Sequence, residues 1–376
     1  MIMKQQKELR AICEAFYIYG DYLVATPFGT GNINDTYQVT YDQGGTRLHY
    51  TLQRINKAVF KNPVQVMENV DRVTRHMLQK IRSGNLTTRK RTIRLLYSRT
   101  GEPYVVDDDG EYWRAYIFIE HARTYDVLES VDHAYKAART FGEFQGDMVD
   151  LPGPRLHETI PDFHNTPLRF EKLKETIKRD PCGRVKDVSE EIDFIMTRGG
   201  ELGRFVELNR ANLLPERITH NDTKINNILI DDVTGDGVCV LDLDTVMPGL
   251  ALYDFGDMVR SGTNSAEEDE QRLDRVKMRF DIFEALLRGY LAGAGSFLTP
   301  LEREELPFSG KLITMELGMR FLTDYLEGDV YFKTSRVRHN LDRCRTQFKL
   351  AREMEANFSQ MHKLLKSLNS HQRSVF

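Results

Sequence analysis

The stretch from Ile218 to Asp244 constrains this chain most, because it places two short Ile-, Leu- and Val-rich runs inside a second half that otherwise reads as helix. The runs are Ile228-Leu-Ile and Val238-Cys-Val-Leu241, and the intervening Asp231-Asp-Val-Thr-Gly-Asp-Gly237 supplies the glycines that a hairpin turn requires. The midpoint of positions 227 and 242 falls inside that turn, so antiparallel pairing predicts Asn227 beside Asp242 at the open end of the ribbon. Two oxygen ligands are thereby expected to converge.

The residues leading into the first run are Asp222, Lys224 and Asn227, in the pattern D-x-K-x-x-N, and the second run ends in Asp242-Leu-Asp244. An amide oxygen and a carboxylate on one rigid ribbon suit Mg²⁺, a hard cation that takes one or two protein ligands and completes its octahedron with water and phosphate oxygens. Asp222 is placed to orient and deprotonate an attacking hydroxyl. Lys224 can balance charge on a transferred phosphoryl group, since that chemistry is mostly positioning and electrostatic stabilisation. Asp231, Asp232 and Asp236 read as solvated turn residues, and His220 as a packed loop anchor rather than a base.

With 376 residues the chain exceeds the length at which one core usually stops growing, so two lobes are expected. Strands are predicted over Leu23–Phe28, Tyr37–Tyr41 and Arg47–Ile55, separated by Gly29-Thr-Gly31 and Asp42-Gln-Gly-Gly45. Val66, Val70, Val73, Met77 and Ile81 recur every three or four residues, which predicts a helix over about Gln65–Arg82. Further strands are expected around Arg94–Tyr97, Tyr104–Val106 and Tyr112–Ile119, with a lobe boundary near Glu120, giving lobes 1–120 and 121–376. Two helix starts are signalled by capping boxes, Ser265 with Glu268 and Thr299-Pro300 with Glu302, and the acidic run Glu267–Glu270 reads as part of the first.

Composition narrows the function. Lys plus Arg number 52 against 56 Asp plus Glu, a net charge of −4 that offers no field for a phosphate backbone, so nucleic acid is not expected as a partner. The four cysteines, Cys13, Cys182, Cys239 and Cys344, form no C-x-x-C pair, so a reducing compartment is expected rather than a disulfide framework or zinc cluster. No apolar run reaches the length of a membrane span and the N-terminus lacks a signal-peptide core, so a soluble cytoplasmic protein with no membrane partner is expected, a monomer or homodimer.

The catalytic-loop pattern His220, Asp222, Asn227, followed by Asp242, resembles that of the aminoglycoside phosphotransferase group of the protein-kinase-like superfamily. The longer stretches HNDTKINNILID, LDLDTVMPGLALYDFGD and FSGKLITMELGMRFLTDYLEGDVYFKT are similar to signatures of the N-acetylhexosamine 1-kinases, over about Gly29 to Lys349. The resemblance implies an α+β, bilobal kinase-like fold: an N-terminal antiparallel-sheet lobe with one or two helices and a larger, mainly helical C-terminal lobe. It implies ATP and Mg²⁺ as cofactors, and transfer to the anomeric hydroxyl of N-acetylglucosamine or N-acetylgalactosamine, a small-molecule sugar substrate. Asp222 would be the base, Asn227 and Asp242 the magnesium ligands, Arg320 and Tyr331 sugar contacts, and Asp244 a support for metal or sugar. Glu120 resembles the hinge that pairs with adenine, with Phe118 to Ala122 lining that pocket.

Gly29 and Gly31, between two strands, are expected to form a phosphate cover. Asn32 stands where the closest relatives are expected to carry His. Where a kinase has its phosphate-pairing Lys, the third strand offers Gln53 or Arg54, and Glu68 or Asp71 on the following helix are candidates to orient such an arginine. Arg320 sits in an apolar pattern of Met315, Leu317, Met319, Phe321 and Leu322, which favours a guanidinium turned toward a polar ligand over one buried alone. Two rival readings stay open: the same machinery acting on another monosaccharide, an amino alcohol or an aminoglycoside, and a nucleotide-binding pseudokinase without turnover.

Overall fold

The structure is a computed structural model, and it describes residues 2–29, 33–84, 90–128 and 130–373. The chain divides into two compact units, the first formed by 1–123, 150–161 and 229–247, the second by 124–149, 162–228 and 248–376. The division after 123 lies close to the boundary expected near Glu120, but the two later segments join the first unit although they follow it in sequence. The segment 229–247, which carries most of the hairpin, is one of them.

The first unit begins with α1 (Ile2–Glu14) and continues with β1 (Asp21–Pro27), β2 (Asp35–Gln43) and β3 (Thr46–Arg54), then α2 (Pro63–Arg82), β4 (Leu95–Leu96), β5 (Val105–Val106) and β6 (Tyr112–Ile117). They form an antiparallel sheet in the order β1-β2-β3-β6-β4, with β5 also on β6. Strand alternation buries one face of β2 and β3, and β6 is buried on both faces. Val39, Leu52, Trp113 and Ala115 pack with Leu9 and Cys13 of α1. The register pairs Gln53 with Arg114, and on that opposite face Arg114 reaches Met67 of α2. α2 follows the expected stripe, with Val66, Val70, Val73 and Met77 buried, and it is capped by Asn62, whose side chain accepts from Gln65 N–H.

β7 (Ala122–Arg123) lies at the expected hinge and pairs with a strand far along the chain: Ala122 opposite Asp231 and Arg123 opposite Ile230. This pairing draws the hairpin into the first unit.

The second unit is built from α3 (Val131–Met148), α4 (Thr166–Arg179), α5 (Ser189–Met196), α6 (Arg204–Arg210) and the short β8 (Arg217–Thr219). After the hairpin strands β9 (Ile228–Asp231) and β10 (Gly237–Val240) come α7 (Ala251–Thr263), α8 (Phe280–Ala294), α9 (Pro300–Glu327) and α10 (His339–Arg373). α8 lies against α3 so closely that a Cβ at position 289 would stand 2.1 Å from the Tyr135 carbonyl, so only glycine fits there.

The Thr299 capping box forms as expected, with Thr299 Oγ1 accepting from Glu302 N–H and Glu302 returning the contact to the Thr299 backbone. The Ser265 box does not. No helix starts at Ser265, because its hydroxyl donates to the Arg275 carbonyl and accepts from Lys277 N–H, which ties it to a neighbouring extended segment. The acidic residues after it are loop residues: Glu268 faces Arg260 at 3.5 Å and Glu270 faces Arg275 at 3.6 Å.

Candidate active site

In the second unit, β8 leads into the loop His220–Asn227, and a carboxylate below the loop fixes its course. Asp254, in the first turn of α7, is fully buried and accepts from His220 N–H at 2.9 Å, Asn221 N–H at 2.7 Å and Gln145 Nε2 at 2.5 Å. Its backbone carbonyl also accepts from Thr223 Oγ1 at 2.7 Å. Burial pushes the Asp254 carboxyl up and the donors pull against it. Asn221 adopts φ 64°, a left-handed conformation that asparagine tolerates, and the loop turns there.

His220 is completely buried, edge-on to Phe141 and Phe144 with ring centroids at 5.4 and 6.2 Å. Its Nδ1 accepts from Asp222 N–H at 3.3 Å, so the imidazole serves the loop's shape.

Asp222 is half-buried and 3.1 Å from Lys224 Nζ. Asn227 Nδ2 donates to the Asp222 carbonyl at 2.8 Å and to its Oδ2 at 3.2 Å. Burial favours the protonated carboxyl, but Lys224 and then His220 outweigh it and hold Asp222 below the ordinary carboxylate range. Lys224 is raised in turn, first by Asp222. Arg260, 6% exposed, is gripped by Asp257 at 2.7 Å and adds its charge to the same group of ions. The loop thus presents an ionised carboxylate with a cation beside it.

A cleft of about 810 Å³ opens along Thr223–Asn226. Acidic and basic side chains line it in equal number, with Asp126, Glu268 and Glu270 among the acids and Lys224, Arg260 and Arg279 among the bases. It presents no single-sign field that would concentrate a polycation.

Arg320, on α9, lies among rings, its guanidinium carbon 5.6 Å from Phe163, 5.9 Å from Tyr331 and 5.5 Å from Phe332. Arg320 and Tyr331 therefore meet, and Tyr331 is 64% exposed. Neither lines the cleft beside Lys224.

The remaining candidates belong to the first unit. Gly29 adopts φ +85° with open space where a Cβ would stand; Gly31 and Asn32 lie outside the described residues. Arg54 does not turn inward: it sits at the exposed end of β3, ion-paired with Asp35. Glu68 pairs with His157 at 2.6 Å and Asp71 with Arg75 at 2.9 Å, so neither orients Arg54. The interior cation is Arg114, which sequence reading missed. It is 1% exposed, ion-paired with Asp244, and its Nε donates to Gln53 Oε1 at 3.0 Å. Asn34 Nδ2 takes the other Asp244 oxygen at 2.7 Å. Both Asp244 oxygens are thus engaged within the chain, and the side chain is 1% exposed. Asp242 follows β10 with φ 52°. The Glu120 carbonyl accepts from Arg91 at 2.7 Å and its carboxylate meets His49 at 2.7 Å, while Ala122 is taken up in the pairing with β9.

Among the described residues no helix is long and apolar enough to cross a membrane. All four cysteines are free, Cys182 exposed and the others buried.

Comparison with solved structures gives full-length likeness at low identity. An aminoglycoside phosphotransferase from Alicyclobacillus acidocaldarius matches with a TM-score of 0.60 and 12% identity, over 95% of this chain and 96% of that one. A spectinomycin phosphotransferase, solved with ADP and spectinomycin, matches with 0.57 and 12%, over 93% and 98%. A choline kinase from Cryptosporidium parvum matches with 0.53 and 14%, over 97% and 98%. These likenesses establish the α+β, two-lobed kinase-like fold. Residues 24–293 match the family described as phosphotransferase enzyme family, well over half of the chain, and the protein belongs to that family.

Proposed function

We propose that the protein is an ATP- and Mg²⁺-dependent kinase that phosphorylates the anomeric hydroxyl of N-acetylhexosamines. The observation that carries the catalytic part is Asp222: an ionised, half-buried carboxylate held by Lys224 and Asn227 on a loop pinned from below by Asp254. The acceptor is supported by the long sequence motifs around Asp222, Asp242 and Arg320. The nucleotide is supported by family membership and by the ADP complex of the spectinomycin enzyme.

In this reading Asp222 accepts the proton of the anomeric hydroxyl as its oxygen bonds to the γ-phosphorus, and the bond from that phosphorus to the bridging oxygen breaks to release ADP. An anomeric hydroxyl is more acidic than an ordinary alcohol, so one carboxylate suffices. Lys224 keeps Asp222 ionised between turnovers and offsets charge on the moving phosphoryl group. Asn227 and Asp242 would hold the magnesium. Each offers the hard oxygen that magnesium takes, and Asn227 directs its amide nitrogen to Asp222, which leaves its amide oxygen for a cation. The ion, when bound, neutralises phosphate oxygens.

The test is phosphorus NMR of the product formed from ATP with N-acetylglucosamine and with N-acetylgalactosamine. A sugar 1-phosphate with stoichiometric ADP is expected; phosphate elsewhere on the sugar, or none, overturns the reading. Asp222→Asn should retain nucleotide binding and lower kcat by about 10²–10⁴. Unchanged turnover would remove Asp222 from the mechanism. The solved relatives named for spectinomycin, aminoglycosides and choline favour a second reading, a different hydroxyl acceptor, and a panel of such acceptors scored for ADP release separates the two.

A further inference from the structure

Arg320 has no carboxylate or carbonyl within hydrogen-bonding distance among the described residues; its neighbours are the three rings of Phe163, Tyr331 and Phe332. A second guanidinium meets the same Phe163, at its backbone carbonyl, while Arg320 lies over the ring. Arg169, on α4, reaches the Phe163 and Asp162 carbonyls only at 3.3 and 3.5 Å through Nη2, and its buried Nε has no partner. Burial and the neighbouring Arg320 charge both push the Arg169 guanidinium below its ordinary pKa.

The carboxylate whose charge both arginines feel is Glu316, and it is engaged elsewhere. It is 2% exposed, with Oε1 taken by His164 Nδ1 at 2.8 Å and Oε2 by Thr166 Oγ1 at 2.5 Å. The site is nevertheless a built one. Asp324 accepts from Val330, Tyr331 and Phe332 N–H at 2.8 to 3.0 Å, which fixes the turn that carries two of the rings. Two like charges are thus kept side by side in a rigid aromatic frame, open to solvent at Tyr331, with donor capacity left over.

An aromatic frame of this kind ordinarily recognises a cationic ligand. Here the chain's own Arg320 already occupies it, and Arg169 adds a second positive charge. We propose that Arg169 and Arg320 form a paired-guanidinium filter at the acceptor site, which favours an uncharged sugar carrying a carbonyl oxygen and rejects acceptors that carry an ammonium group. Arg169 is then a specificity-determining residue, one that sequence patterning did not reveal. The inference rests on the reading of Arg320 and Tyr331 as acceptor contacts. It separates this chain from relatives named for choline and aminoglycosides.

The experiment compares N-acetylglucosamine with glucosamine, which differ in exchanging a neutral acetamide for an ammonium group. Both kcat/KM and calorimetric binding are measured on the full chain, for the parent, Arg169→Met and Arg169→Lys. The parent is expected to prefer N-acetylglucosamine, with the preference relaxing as pH rises and the amine loses its proton. Arg169→Met should narrow the preference by about tenfold or more, since like charges at contact distance are strongly unfavourable, and Arg169→Lys should keep most of it. If Arg169→Met phosphorylates N-acetylglucosamine with the parent's preference intact, the filter is wrong and the kinase reading stands. If neither sugar is turned over yet binding still discriminates between them in the parent and not in Arg169→Met, the filter stands and the sugar-kinase reading fails. Equal binding of the two sugars by the parent, or binding of neither, overturns the filter.

Discussion

Arg114 and Arg320 are both set among aromatic and apolar side chains, yet their surroundings are opposite in kind. Arg114 has a carboxylate partner in Asp244, an amide acceptor in Gln53 and almost no exposure. Arg320 has rings for neighbours, a second arginine beside it, and a carboxylate nearby that already serves His164 and Thr166. A buried charge is tolerated when its partners are complete. Where completion is within the chain, the group belongs to the fold; where it is missing and solvent can enter, the group is available to a ligand. Among the carboxylates, Asp254 and Glu316 have their donors supplied and are almost wholly buried, whereas Asp222 is half-buried and directly precedes the Thr223–Asn226 segment that lines a cleft.

The strongest way to break that contrast is to remove Arg114. Arg114→Met leaves Asp244 buried beside Asn34 without its counter-charge, and the loss of one partner from a buried pair costs about 3–5 kcal/mol. Urea unfolding should show this loss, and the double variant Arg114→Met with Asp244→Leu should recover part of it. If Arg114→Met were no more destabilising than Arg320→Met, the distinction between completed and open charges would not hold.

Glu316 offers a pH test of the same idea. Burial alone would raise its carboxyl, but the His164 and Thr166 contacts reverse this and hold it below the ordinary value of 4.5. A folded-state pKa below the unfolded one contributes stability that is present above about pH 4.5 and is lost as pH falls through the depressed value. Glu316→Gln should therefore lower Tm at neutral pH and flatten its decline under acid, so that the two proteins converge at the acid end. Parallel Tm curves down to the acid end would show that the carboxylate is not held as the contacts imply.

How much of this was legible beforehand follows from the range of each interaction. The hairpin, α2 and the Thr299 cap are local devices, written in turn glycines, a helical stripe and a residue three positions from its partner. Ser265 carried the same local signal and did not start a helix, because contacts ten and twelve residues away bound its hydroxyl first. Arg114 was unreadable for a stronger reason: its partner lies 130 residues downstream, and nothing in a six-residue strand marks which face will meet it. Asp254 stands within a longer motif, and its task of receiving the His220 and Asn221 N–H groups spans more than thirty residues. Arg320 stood out by its apolar flanks, whereas Arg169 lies in an amphipathic helix where an arginine is unremarked.

The smallest expected effect sharpens the contrast from the other side. Arg169 makes only long contacts to two carbonyls and sits against a like charge, so its removal takes away a repulsion along with little hydrogen bonding. Arg169→Met keeps most of the apolar stem that packs in the frame. Its stability should differ from the parent's by no more than about 0.5 kcal/mol, the range of surface substitutions, although its environment is partly buried. Adding N-acetylglucosamine should raise the Tm of the parent more than that of the variant, because a ligand that binds only the folded state stabilises by mass action. A variant that unfolds several degrees earlier in the absence of ligand would mean that Arg169 is structural after all, and would move it to the side of Arg114.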